Sequence, residues 1–398
     1  MVGTPESKTL YYGWVVVGMA FLANLTGFGI VFAYSVFFKP LSLEFGWSRT
    51  VTAGAFSMYA IVHNILAFFC GRLVDRLGPK VVVAGAGFFI GLSMLLMRYI
   101  SSVWQLYVIY GFFLSLGIAC TYAPVMATVS RWFGKKRGLA IGLTAAGIGA
   151  GSMVFSPLSA WLISVFDWRL AYFILGFIAW IIFIPVTRFI KQNTGTIDVS
   201  GDNDGIDGGL TFAEAFKTRT FWAYCLSWMF AAFIQWGIFV HIVPILTDSG
   251  ISIVEAGLMA GLMGGMSLAG RIISGFISDR AGRKEVYIAA LTVQLGALLL
   301  LTCVNEYWSL FVFVMLFGLG SGGWGGVIGA FPADYFGLKE TGSILGFAVI
   351  MCGVGVALGP FTGGYIFDAS QSYHQMIVIC AVIGLASIIT AFFMKKVR

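Results

Sequence analysis

Long apolar blocks, each of roughly 18 residues or more, follow one another through this chain with short charged breaks between them. At about 1.5 Å of rise per residue, a helix of that length crosses a hydrocarbon core about 30 Å thick. Only 10% of the 398 residues are charged and 59% are hydrophobic, whereas soluble domains carry roughly 25% charged residues. A water-soluble surface cannot be made from this composition. The expected fold class is therefore an all-α membrane protein.

Twelve spans are predicted, near 12–38, 50–70, 80–98, 104–130, 138–165, 169–188, 220–247, 254–275, 286–303, 307–333, 342–367 and 373–394. The first runs well beyond the roughly 7 to 15 apolar residues of a cleaved signal and is read as a retained helix. One long polar stretch, Lys191 to Lys217, is rich in Gly and Asp and separates six spans from six. The expected division is a six-helix bundle over 1–190, a linker over 191–218 and a second six-helix bundle over 219–398. The linker aspartates lack the glycine and closing Glu of a calcium loop, so they read as solvated chain. Thr211-Phe-Ala-Glu214 has capping-box spacing and predicts a short amphipathic helix leading into span seven.

Cys70, Cys120, Cys225, Cys303, Cys352 and Cys380 lie in or at the ends of spans, with no Cys-x-x-Cys pair and no clustered His. They read as packing residues or free thiols; no metal site and no cofactor is expected. Lys8, the even-numbered loops, the linker and the C-terminal tail hold 19 of the 24 Lys and Arg residues, while Lys39, Arg49, Arg98 and Arg169 fall on the other side. By the positive-inside rule, the linker and both termini face the cytoplasm. The net charge of +7 is then a topology signal, not a nucleic-acid footprint.

The halves repeat. Gly71-Arg-Leu-Val-Asp75-Arg76-Leu-Gly78 reappears as Gly275-Phe-Ile-Ser-Asp279-Arg280-Ala-Gly282, 204 residues later. Trp132-Phe-Gly-Lys-Lys-Arg-Gly138 likewise matches Tyr335-Phe-Gly-Leu-Lys-Glu-Thr-Gly342. The twelve helices are thus expected as two pseudo-symmetric six-helix bundles. Gly-x-x-x-Asp-Arg-x-Gly, present in both halves, resembles the signature loop of the major facilitator superfamily. That resemblance assigns Gly71, Asp75, Arg76, Gly275, Asp279 and Arg280 to a conformational latch. Trp132-Phe133-Gly-Lys135-Lys136-Arg137-Gly-Leu139-Ala140-Ile-Gly142-Leu-Thr-Ala145-Ala146-Gly147 looks like the span-five motif of monocarboxylate transporters. Tyr12-Gly13-Trp14 partly matches that family's other motif, without its acidic residue. The resemblance implies proton-coupled symport of lactate- or pyruvate-like anions by alternating access, in a monomer of the bacterial inner membrane.

Arg271 is the only Lys or Arg well inside a predicted span. A charge there costs about 2.5 to 3.5 kcal/mol on insertion scales. Ala260, Gly264, Ser267, Arg271 and Ser274 make one stripe of small or hydroxyl side chains, which suits a helix face turned to protein or a cavity. A guanidinium fork matches a carboxylate with two parallel hydrogen bonds, and the resemblance makes Arg271 the substrate arginine. Oxalate exchangers are expected to place a second cation in span eleven, but no Lys or Arg occurs between Lys339 and Lys395. Monocarboxylate is preferred, and oxalate- or formate-type exchange is the alternative.

Tyr110, Tyr122, Ser267, Tyr34, Asn24 and Trp324 are the further substrate-binding candidates, chosen for polar or aromatic side chains in cavity-lining spans. Animal members of the family carry an acid four residues before the span-eight arginine and a lysine in span one; Ser267 and Phe32 stand there. The proton-coupling candidates that remain are Asp248 and His241, near the outer end of span seven. Substrate occupying Arg271 is expected to release Asp248 to take a proton. An enzyme is disfavoured by the lack of a Ser-His-Asp grouping or paired intramembrane carboxylates. A non-transporting anion sensor would use the same arginine but would need a separate output partner.

Overall fold

Helices form where the apolar blocks predict them, because in hydrocarbon each backbone polar group must be satisfied within its own segment. The computed structural model describes residues 6–133, 136–191, 209–303, 307–337 and 339–396. Among these, twelve helices are long and apolar enough to cross a membrane: α1 (Tyr12–Phe45), α2 (Arg49–Ala67), α3 (Arg76–Met97), α4 (Val103–Ser130), α5 (Arg137–Val165), α6 (Trp168–Phe189), α7 (Arg219–Asp248), α8 (Ile253–Ala281), α9 (Arg283–Thr302), α10 (Tyr307–Phe336), α11 (Thr341–Ser370) and α12 (His374–Phe392). The protein is an all-α integral membrane protein. The linker segment that could have been mistaken for a calcium loop lies outside the described residues, apart from Gly209.

Side-chain caps fix several helix starts. Ser48, Asp167, Thr218 and Ser252 each accept a hydrogen bond from the amide three residues on, at the heads of α2, α6, α7 and α8, satisfying donors that a helix leaves orphaned. α2 and α3 belong to one helical stretch broken at Gly78, whose φ of +78° is a left-handed conformation that only glycine adopts without a steric penalty. Thr211 and Glu214 form the predicted capping box, with the Glu214 amide donating to Thr211 Oγ1 and the Thr211 amide to Glu214 Oε2. The short helix Phe212–Phe216 sets Phe212 and Phe216 against Phe221 and Phe347.

α1 to α6 share one apolar core, and two further cores lie almost wholly within α7 to α12. Glycines set the closest approaches. A side chain at Gly151 of α5 would collide with the Leu25 carbonyl of α1, and one at Gly322 of α10 with the Ser267 carbonyl of α8. Without side chains there, the backbones come into contact, as small residues permit in membrane helices. α4 departs from α-helical form over Tyr107–Leu114, a π-helical stretch of the kind found often at functional sites.

The two halves meet through α5 with α8 and α2 with α11. Each seam is tight at the end opposite the termini, here termed the far end. Gly257, Gly261 and Gly264 of α8 abut Ala160, Pro157 and Ser152 of α5, while Gly364 and Gly353 of α11 abut Arg49 and Asn64 on the α2 side. Farther along the same faces, at Gly138, Gly142, Gly275, Gly342 and Gly346, nothing lies within 4 Å of a would-be side chain. The halves are closed together at the far end and parted at the end that carries the termini and linker.

Candidate functional site

Arg271 lies on α8 between Leu268, which packs on Gly149, and Gly275, which packs on nothing. It therefore marks the level at which the closed seam ends. Its guanidinium lies against Gly325 of α10, and a side chain at Gly326 would strike Ser274 and the Arg271 backbone. The glycines of α10 thus let α8 come close and leave room for the charged group. Arg271 Nε is buried without a hydrogen-bond partner, and among the described residues no carboxylate pairs with the side chain. A cation so placed retains unspent donors for an anion.

A cavity beside it is lined by Phe32 of α1, Gly149 and Ser152 of α5, Gln235 of α7, and Gly264, Ser267 and Arg271 of α8, among others. Both halves contribute. Its volume of about 10 Å³ holds about one water, so a carboxylate needs the surrounding helices to part. Ser267 therefore shares the cavity with Arg271. Tyr122 lies within electrostatic range of the guanidinium, is 40% exposed and packs its ring edge-on to Phe28.

The other predicted contacts are placed elsewhere. The rings of Tyr34 and Tyr110 lie tilted against each other at 4.3 Å between centroids, and their hydroxyls donate to the Thr52 and Val31 carbonyls. Asn24 donates to the Thr144 carbonyl and clasps α1 to α5. Trp324 donates to Gln294 of α9. None of these four lines the cavity at Arg271, and each has its side-chain donor committed to helix packing. Phe32 and Gln235 do line it. Phe32 stacks on Trp236, so this part of the cavity wall is apolar.

The latch residues divide. The side chains of Gly71 and Asp75 lie outside the described residues, Arg76, Asp279 and Arg280 are exposed, and Gly275 has no neighbour. At that end an ion pair within the second half joins Arg283 to Asp334 at 2.6 Å; this involves neither Asp279 nor Arg280.

Asp248 and His241 sit in one polar network at the far end. Asp248 receives Lys39 at 2.7 Å on Oδ1 and Arg49 at 2.6 Å on Oδ2. The arginine beside it is therefore Arg49, not Arg271. Ile253 and Arg271 stand 18 residues apart on α8, about 27 Å of helix, which removes the expected direct release of Asp248 by substrate at Arg271. Arg49 stacks on the Phe367 ring at 3.4 Å and donates to Tyr373 Oη at 2.8 Å. His241 Nε2 lies 2.9 Å from the Pro360 carbonyl and Nδ1 2.9 Å from Tyr373 Oη. Because a carbonyl only accepts, Nε2 carries the proton, and in a neutral imidazole Tyr373 donates to Nδ1. Asp368 completes the network, accepting from the Arg49 and Thr50 amides at 2.9 and 2.8 Å.

Lys39, Arg49, Asp368 and Tyr373 went unrecognised as site residues in the sequence. The available signal was the presence of two of the four far-side basic residues next to the α1–α2 turn.

The sequence model of the Major Facilitator Superfamily matches residues 19–284 and 229–398. Monocarboxylate transporter 4 of Rattus norvegicus is 27% identical over 395 residues, covering 94% of this chain and 81% of that protein. Monocarboxylate transporter 2 of Homo sapiens is 29% identical over 407 residues, covering 94% and 84%. An uncharacterized MFS-type transporter, YcxA of Bacillus subtilis (strain 168), is 25% identical over 376 residues, covering 90% and 89%. Among solved structures, a bacterial homolog of the human lysosomal transporter Spinster, crystallised inward-facing and unoccupied, superposes with a TM-score of 0.77 at 14% identity over 96% of this chain and 97% of that one.

Proposed function

This chain belongs to the major facilitator superfamily, as a monocarboxylate-transporter-like member, and from that premise we propose that it carries small monocarboxylate anions of the lactate or pyruvate type. The observation that carries the reading is Arg271, a half-buried arginine whose buried Nε is an unused donor at the level where the two halves part. One fork suits one carboxylate. Tyr122 and Ser267 are its proposed partners, and Phe32 supplies apolar surface for a methyl group.

Transport proceeds by alternating access, with the two bundles rocking about the level of Arg271. The excess of Lys and Arg on the side of the termini and linker supports a cytoplasmic location for that side, in a bacterial inner membrane. The seam that is open at that side then belongs to an inward-facing conformation. Proton coupling is assigned to the far-end network, with His241 and Asp248 as its titrating members. If Asp248→Asn kept full pH-driven uptake, Asp248 would have to be dropped from that role.

Counterflow of labelled lactate in proteoliposomes tests the substrate. Pyruvate should compete, sugars should not, and Arg271→Ala should abolish exchange. Competition by oxalate with none by pyruvate would overturn the monocarboxylate assignment in favour of dicarboxylate exchange.

A further inference from the structure

At the far end, two carboxylates of the second half are held by the rim of the first. Asp248 lies between Lys39 Nζ and Arg49 Nη1, with Lys39 also 3.4 Å from Thr247 Oγ1. Asp368 lies on the first turn of α2, taking the Arg49 amide, the Thr50 amide and Thr50 Oγ1, the last at 2.5 Å. Every donor in these contacts belongs to the first half and every carboxylate to the second. Lys39, Arg49 and Asp248 border an outer recess of about 830 Å³, so that part of the rim faces water.

Alternating access requires these contacts to break when the far end opens. Lys39, Arg49 and the capped start of α2 then move away from Asp248 and Asp368. What remains on the first half is a carboxylate seat: two cations, two free helix-terminal amides and a threonine hydroxyl, a group of donors that favours anions on both charge and geometry. The seat's ability to hold carboxylates is visible in the closed form, where it holds two tethered ones.

We infer that the rim formed by Lys39, Arg49 and Thr50 is a second carboxylate-binding site, occupied by Asp248 and Asp368 when the far end is closed and open to a substrate carboxylate when it is parted. This rests on the carboxylate-transport reading above for the identity of the free anion. The tethered aspartates and the external anion compete for one seat. External carboxylate consequently favours the far-end-open form before it reaches Arg271, and the far end closes when Asp248 and Asp368 displace it.

The test places spin labels at Leu43→Cys, where the native side chain is 71% exposed, and Gln375→Cys, also exposed, in the full chain with its native cysteines replaced. Distances across the far end are measured in proteoliposomes with lactate or with chloride at equal ionic strength. In an Arg271→Ala background, lactate should lengthen the distance and chloride should not. Adding Lys39→Gln, which removes a donor from the Asp248 tether as well as from the external anion, should lengthen the distance without lactate and leave lactate a smaller further effect. Asp248→Asn with Asp368→Asn should lengthen the distance without lactate.

The inference is overturned if the lactate effect disappears with Arg271→Ala, if chloride matches lactate, if Lys39→Gln changes neither the distance without lactate nor the size of the lactate effect, or if the double aspartate variant stays closed. Failure of lactate counterflow in the unmodified protein would instead remove the substrate assignment, leaving the rim's anion binding as the distances report it.

Discussion

At the residue scale, the chemistry turns on what each polar group has left to give. Arg271 keeps a buried Nε unpaired, whereas Tyr34, Tyr110, Asn24 and Trp324 have committed their donors to neighbouring helices. Arg271→Lys would keep the charge and lose the planar fork. Its KM for lactate uptake in proteoliposomes at fixed pH should rise about tenfold or more, and an unchanged KM would mean the fork is not used. His241→Gln would keep a donor for the Pro360 carbonyl while removing the titrating ring. Lactate counterflow, which needs no net proton movement, should persist, but acceleration of uptake by an inward pH gradient should be lost. The arginine was legible in the sequence because a charge placed among apolar residues is costly to insert and is seldom kept without a use. The tyrosines misled because a phenol suits both a cavity and a helix contact, and the type alone does not distinguish them.

At the scale of elements, α8 owes its position to α10. Gly322 admits the Ser267 carbonyl, and Gly325 and Gly326 make room around Arg271 and Ser274. Gly322→Leu should therefore destabilise the protein by about 1 to 3 kcal/mol, the usual range for overpacking, measured as a lower unfolding temperature in detergent. The fraction that remains folded should also lose lactate counterflow, because α8 would be displaced. If counterflow persisted at full rate, the close α8–α10 contact would not be what positions the site. Helix placement was legible to within a few residues, since hydropathy and caps such as Thr218 and Ser252 act locally. The π-helical stretch Tyr107–Leu114 was not, because its residues are as apolar as those of an ordinary span. Nor was the far-end rim: Lys39 and Arg49, Asp248, and Asp368 and Tyr373 come from three distant stretches of the chain, and only the docking of the two halves brings them together.

For the whole molecule, the same glycine faces that pack tightly at one end stand free at the other. Cysteines placed at Gly142 and Gly346 should react with a membrane-impermeant maleimide applied from the side of the termini, whereas cysteines at Gly149 and Gly353 should be protected. Equal labelling at all four would contradict a seam that closes toward the far end. The internal repeat is plain in the chain, but the charges along that seam are not repeated. At the 204-residue offset, Glu44 matches Asp248, yet Glu44 pairs with Arg169 inside its own half, and Ile253 stands where Arg49 would be. Two copies of the first half set face to face would oppose Lys39 and Arg49 to their own likenesses, and cations cannot latch to cations. A closure made of donors on one side and carboxylates on the other belongs to a pair of unlike partners. The divergence of the duplicated halves is thus a condition for the far end to shut.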